Sequence, residues 1–264
     1  MSVSKVLGSL TSDGSGYRVT VGDDWTQGRA TFGGLVAAVG NEAMRKLAPR
    51  DRCLRSLQTT FIGPAAPGTW RIEARVLRVG KAVTLIHCEI HDGNQVAATQ
   101  VGVYGSARPS AVIVEPEAKP APRRVAEIDD MRLPDDKTFA FFQHFALRWA
   151  QGARPFSSAP NIPPSMAFVR HREAGPLTES HLVALADCIP TPAMAMYTAP
   201  APSSSLIWTL EFLEHKFDYS PDAWWRLDTH IDAAGEGYVN QTGILLNPDG
   251  KPAALTRQLV TVFG

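Results

Sequence analysis

The chain has 264 residues, with 26 Lys plus Arg balanced by 26 Asp plus Glu. Without net charge there is no overall field to gather nucleic acid or an anionic lipid surface, which argues against both partners. The opening MSVSKVLGSLTSDGSG lacks the apolar core of a secretory signal, and no apolar run approaches membrane-spanning length, so a soluble, cytoplasmic protein is expected.

Taken in chain order, Tyr17 to Val21 reads as a strand. Gly33-Gly34 then leads into LVAAVGNEAMRKLA, where Leu35, Val39, Ala43 and Leu47 recur at near-helical spacing until Pro49 ends the helix. Strands are predicted at Leu54 to Ile62, Trp70 to Val79, Val83 to Ile90 and Gln95 to Tyr104. Residues 106–126 turn rich in Pro, Ala and charge and read as an extended connector. Phe139 to Ala150 is so apolar that buried strand and buried helix are equally good readings. Thr178 can cap a helix over LTESHLVALADCI, with Pro190 as its stop. Strands return at Ser205 to Phe212, Trp224 to Asp232, Tyr238 to Leu246 and Pro252 to Phe263.

The second half echoes the first. WRIEARV (Trp70 to Val76) recurs as WRLDTHI (Trp225 to Ile231), each followed at the same offset by a glycine, Gly80 and Gly235. Asp92-Gly93 and Asp249-Gly250 then mark a tight hairpin in each half, because glycine accepts the positive φ such a turn needs. Tyr104-Gly105 and Phe263-Gly264 close the two copies. One helix and four antiparallel strands, made twice, predicts an α+β chain with repeats at 1–105 and 127–264 joined by the 106–126 connector.

That pattern describes a double hotdog with one continuous sheet. FGGLVAAVG, RSLQTTFIGPAAPG, ALADCIP (Ala184 to Pro190), SLIWTLEF (Ser205 to Phe212) and LTRQLVTVFG (Leu255 to Gly264) together resemble the acyl-CoA thioesterase II-like family. The resemblance implies hydrolysis of an acyl-CoA thioester by an oriented water, no cofactor, and association into a homodimer or tetramer. It places an Asp, a Ser or Thr, and a Gln at Asp187, Ser205 and Gln258, with Ser204 and Thr209 competing for the hydroxyl role. The residue types suit the task. A carboxylate accepts a proton from water, while a hydroxyl and an amide orient it. Gly33 and Gly34, at the amino end of a helix, would offer backbone N–H groups to the developing oxyanion.

Other readings stand beside this one. The Ser-rich approach to Ser205 and the segment IPTPAMAMYTAPAP match the family loosely, which leaves room for an acyl-CoA binding protein without turnover. His181, six residues before Asp187, leaves a hotdog hydratase or dehydratase open. Met194, Met196, Tyr197, Ile207 and Trp208 are candidates for an acyl pocket, with ordinary core packing as the alternative. Arg29, Arg55, Arg123 and Arg124 are unranked candidates for the coenzyme A phosphates. Cys53, Cys88 and Cys188 are odd in number and lack ligand spacing, which suits reduced thiols. His87 and His91 share a strand face but find no carboxylate at metal-ligand spacing, so no metal is expected.

Overall fold

A computed structural model describes residues 1–131, 137–162, 164–199 and 201–263, with the side chains of 137 and 138 left aside. The first half contains helix α1 (Val3–Gly8) and strands β1 (Thr11–Ser12), β2 (Tyr17–Val21), β3 (Thr26–Gln27) and β4 (Ala30–Thr31). Helix α2 (Gly33–Leu47) and strands β5 (Cys53–Phe61), β6 (Gly68–Val79), β7 (Val83–Asp92) and β8 (Gln95–Gly105) complete it. The second half contains β9 (Phe145–Gln151), β10 (Ser165–His171), α3 (Glu179–Leu185), β11 (Ser203–Phe212), β12 (Trp225–Gly235), β13 (Tyr238–Leu246) and β14 (Pro252–Val262). Among the described residues no helix is long and apolar enough to cross a membrane.

Twelve of the strands form one sheet in the order β1-β2-β6-β7-β8-β5-β11-β14-β13-β12-β10-β9. The halves meet where β5 pairs antiparallel with β11, Leu57 opposite Leu210 and Thr59 opposite Trp208. Alternation along each strand puts one set of residues under the helices and the other on the far face. Trp70, Ile72, Ile86, Cys88, Ile90, Trp225, Leu227 and Leu245 are buried on the helix side with Leu35, Val39, Ala43 and Met44 of α2. Both echoed tryptophans are fully buried.

The two helices are joined by a buried polar chain. Tyr104 Oη donates to Asn41 Oδ1 at 2.7 Å, Asn41 Nδ2 donates to Ser180 Oγ at 3.0 Å, and Ser180 Oγ donates to Glu42 Oε2 at 3.0 Å. Glu179 accepts the Leu54 N–H at 2.7 Å. These contacts satisfy polar groups that would otherwise be costly between packed helices.

Four features differ from the sequence expectation. Phe139 to Ala150 is neither one helix nor one strand, because a 3-10 segment (Lys137–His144), kinked at Phe139, precedes β9. Strand β10 went unread although its burial alternates strictly, and it pairs with β12 as β2 pairs with β6. The duplication therefore runs deeper than its motifs, because each Trp-bearing strand has a partner on its outer side. The third difference is α1, which α2 and β2 cover. The fourth is that α3 ends at Leu185, with Ala186 as its C-cap, so Asp187 lies in the turn beyond the helix and not on it.

Candidate active site

Asp187, Ser205 and Gln258 converge. Gln258 Nε2 donates both to Asp187 Oδ1 at 3.0 Å and to Ser205 Oγ at 2.8 Å. A carboxylate accepts only, so the amide nitrogen must be the end that faces it. The other end of the amide, Oε1, accepts from Gln241 Nε2 at 2.7 Å. Gln258 is thus fixed at three points while being only 8% exposed.

Local structure explains how each side chain arrives. In β11 the register shifts between Ser205 and Ile207, and this bulge lets Ser205 and the fully buried Trp208 share the helix side. Of the three hydroxyl candidates, Ser205 is the one that meets Gln258. Ser204 is exposed and bonds only the Ser205 carbonyl, and Thr209 faces the far side of the sheet. Gln241, directly opposite Gln258 in the β13–β14 ladder, was not singled out from the sequence. Its signal was present. It is a polar residue at the inward parity of a strand whose other inward residues are Val239, Gly243 and Leu245.

The amino end of α2 abuts the carboxylate. Phe32 gives that helix no side-chain cap, and the Gly34 N–H is directed at Asp187 from the opposite half of the chain. Asp187 therefore supplies negative charge where the helix dipole favours it. A Cβ at Gly33 would lie 3.1 Å from Asp187 Oδ2, and one at Gly34 would lie 2.9 Å from the Ala184 carbonyl oxygen. Close approach, rather than a turn, requires glycine here. The sequence assigned both N–H groups to an oxyanion, whereas that of Gly34 is shared with the carboxylate in this state.

Burial dominates the acidity of Asp187. It pushes the carboxyl up from 3.8 to about 7, against the opposing hydrogen bonds from Gln258 and Gly34. A cavity of about 10 Å³, lined in part by Asp187, Gln241, Gln258, Thr229, Ile189 and Pro190, adjoins it. That is room for about one water molecule. A larger cavity of about 490 Å³ opens on the far face among Thr209, Glu211, His230, Thr242, Leu255 and Arg257, away from Asp187.

The first half carries no second copy. The ladder Ile72–Ile90–Ala98–Phe61 matches Leu227–Leu245–Ala254–Phe212. Four residues along, on the same face, Ile86 and Gly102 stand where the second half has Gln241 and Gln258. The first half has a buried amide of its own at Gln100, which donates to Thr59 Oγ1 at 3.0 Å and to the Ala37 carbonyl at 3.1 Å, but no carboxylate is among its partners.

Comparison with known proteins bears on the family and the fold. A family model described as the acyl-CoA thioesterase N-terminal domain matches residues 21–105, and one described as the acyl-CoA thioesterase C-terminal domain matches 121–262. The chain belongs to the acyl-CoA thioesterase family. No curated protein matched it. Among solved structures, a hot dog fold protein from Alicyclobacillus acidocaldarius is 21% identical, with a TM-score of 0.89 over 99% of this chain and 98% of that one. An acyl-CoA thioesterase II, TesB2, from Mycobacterium marinum is 17% identical, with a TM-score of 0.78 over 99% and 98%. At these identities the structures show the fold, which is the double hotdog.

The other candidate residues of this thioesterase-family chain lie in several places. His181 Nδ1 accepts the Thr178 N–H at 3.3 Å and its Nε2 meets Ser4 Oγ at 2.9 Å, so the imidazole caps α3 rather than meeting Asp187. The five pocket candidates divide, with Met194 and Tyr197 together beside Val239 and Val260 and the other three apart from them. Met194 packs with Val239, Val260 and Val262, Trp208 is bonded to Thr256, and Met196 and Ile207 are about half exposed, at 51% and 49%. Arg55 meets His215, and Arg124 pairs with Glu127 in the exposed connector.

Proposed function

We propose that this chain hydrolyses acyl-CoA thioesters with Asp187 as the general base. The supporting observation is the double donation from Gln258 to Asp187 and Ser205, which fixes a carboxylate beside a water-sized space. Asp187 takes a proton from water as its oxygen bonds the thioester carbonyl carbon. The tetrahedral intermediate then breaks its C–S bond, and the departing coenzyme A sulfur recovers that proton from Asp187. Ser205, already accepting from Gln258, keeps its own proton to donate to the water or the substrate. The helix end at Gly33 and Gly34 favours the oxyanion. The acyl group would lie along Val239 and Val260, which neighbour Gln241 and Gln258 on the same face.

Thiol release from a panel of acyl-CoAs tests the reading. Turnover that depends on Asp187 supports it. Tight acyl-CoA binding without turnover would favour the binding protein, and water addition to an enoyl-CoA the hydratase. Self-association into a dimer or tetramer belongs to the same proposal, supported by exposed Ile207 and Leu255 on the outer sheet face, and light scattering measures it.

Gln258→Leu gives a sharper test. It removes a hydrogen bond that lowers the Asp187 pKa, so the carboxyl should titrate higher still. The expected result is a rising limb of kcat/KM moved upward in pH from about 7, together with a lower plateau.

A further inference from the structure

On the far face of the first half, β6 and β7 bring together groups that the site above does not use. Cys88 and Ile90 point into the core, so their neighbours His87, Glu89 and His91 point outward. Glu73 of β6 stands directly opposite Glu89. Two carboxylates paired across a ladder repel unless a cation lies between them. Glu89 lies between His87 and His91 on the same strand face, a carboxylate the sequence reading passed over, and strand register adds Glu73 from β6.

The arrangement is only half satisfied. Arg71 pairs with Glu73, engaging Oε1. His87 Nε2 meets Thr99 Oγ1 at 2.8 Å and lies 3.9 Å from Glu89 Oε1. His91 is 8% exposed, yet its Nε2 has no hydrogen-bond partner among the described residues. Leaving a buried polar atom unpaired costs about 1–3 kcal/mol. That nitrogen is aimed at Glu89 Oε2, 3.4 Å away. Two ligands on one tetrahedral zinc ion, each bonded at about 2.0–2.1 Å, lie about 3.3 Å apart. The 3.4 Å gap matches that span, and the Glu73, Glu89 and His91 ligand atoms all lie within 4.8 Å of one another.

We propose that Glu73, Glu89 and His91 form a binding site for a divalent transition-metal ion of the zinc type. Imidazole with carboxylate suits such an ion better than calcium or magnesium, which prefer oxygen alone. The ion would tie β6 to β7 on the face opposite Asp187. It competes with the Arg71 guanidinium for Glu73.

Titrating metal-free protein with zinc against a chromophoric chelator tests this, with cobalt absorption as a second probe. The expected result is one zinc per chain and a higher Tm. His91→Ala and Glu89→Gln should weaken binding by at least about 10-fold, since even outer partners of a ligand are worth that much. Arg71→Gln should tighten it. Circular dichroism and thiol release, both unchanged, show that the variants fold. Failure of the wild-type chain to take up one equivalent, or equal affinity in His91→Ala, overturns the proposal. If His91→Ala fails to fold, Glu73→Gln takes its place with the same expectation. Because the readout is metal uptake, it stands or falls separately from turnover.

Discussion

Asp187→Asn should lower kcat for acyl-CoA hydrolysis by about 10²–10⁴-fold, the usual worth of a positioned general base, with KM little changed. Asparagine keeps the size of the side chain and an acceptor for Gln258 but cannot take a proton. In the wild-type enzyme the rate should rise with pH through about 7, because only the carboxylate form is active and burial holds its pKa there. The same burial bears on stability. A carboxyl whose folded pKa is raised from 3.8 to about 7 contributes stability that is fully present below the lower value and lost as pH rises through the upper one. Above pH 7 the fold carries an ionised, mostly buried carboxylate at a cost of a few kcal/mol. Asp187→Asn should therefore be more stable than wild type at alkaline pH and lose that advantage toward pH 4. Thermal melts at pH 4, 5.5 and 8.5, alongside the kinetics, check both halves. A variant with wild-type kcat removes Asp187 from the chemistry.

Truncating either echoed tryptophan to alanine should cost about 3–5 kcal/mol, as expected for a fully buried large aromatic. Both are completely enclosed under the helices, so the two losses should be alike in size. Replacement by phenylalanine should separate them. Trp70 Nε1 donates to the carbonyl of exposed Ala66 at 2.8 Å, a bond that phenylalanine loses. Trp225 Nε1 is buried without a partner among the described residues, so phenylalanine there removes an unsatisfied donor as well as some volume. Trp70→Phe should cost about 0.5–1.5 kcal/mol more than Trp225→Phe, the net worth of one hydrogen bond. Urea unfolding of the four variants measures the difference. Equal phenylalanine costs would mean that the Ala66 bond adds nothing.

Much of the scaffold could be read from residues because alternation and turn chemistry act locally. Tyr238–Leu246 is predicted to the residue and a strand is expected around Tyr17–Val21, since each is bounded by Gly or Asn. Strand β10 escaped because SMAFVRH offers few β-branched residues and follows a stretch without family resemblance. The end of α3 escaped for a different reason. Pro190 marks the last point a helix could reach, whereas the chain leaves it four residues earlier, through the turn that carries Asp187 to the start of α2. Site residues split along the same line. Asp187, Ser205 and Gln258 sit in runs with a family pattern. Gln241, the pairing of Glu73 with Glu89, and the choice of Ser205 over Thr209 all depend on register across strands and on a bulge, which no single segment encodes.

The β5–β11 seam lies inside the sheet, and the proposed site straddles it, with the glycine end of α2 from one half and Asp187, Ser205 and Gln258 from the other. Were the halves separate subunits, that site would exist only above the dissociation constant of their pairing. The connector makes the encounter intramolecular, at an effective concentration on the order of millimolar, so dilution cannot disassemble it. Fusion also lifts a symmetry constraint. A homodimer must keep both roles in one sequence, whereas each half of this chain is free to specialise, with Ile86 and Gly102 standing in one half where the other has Gln241 and Gln258.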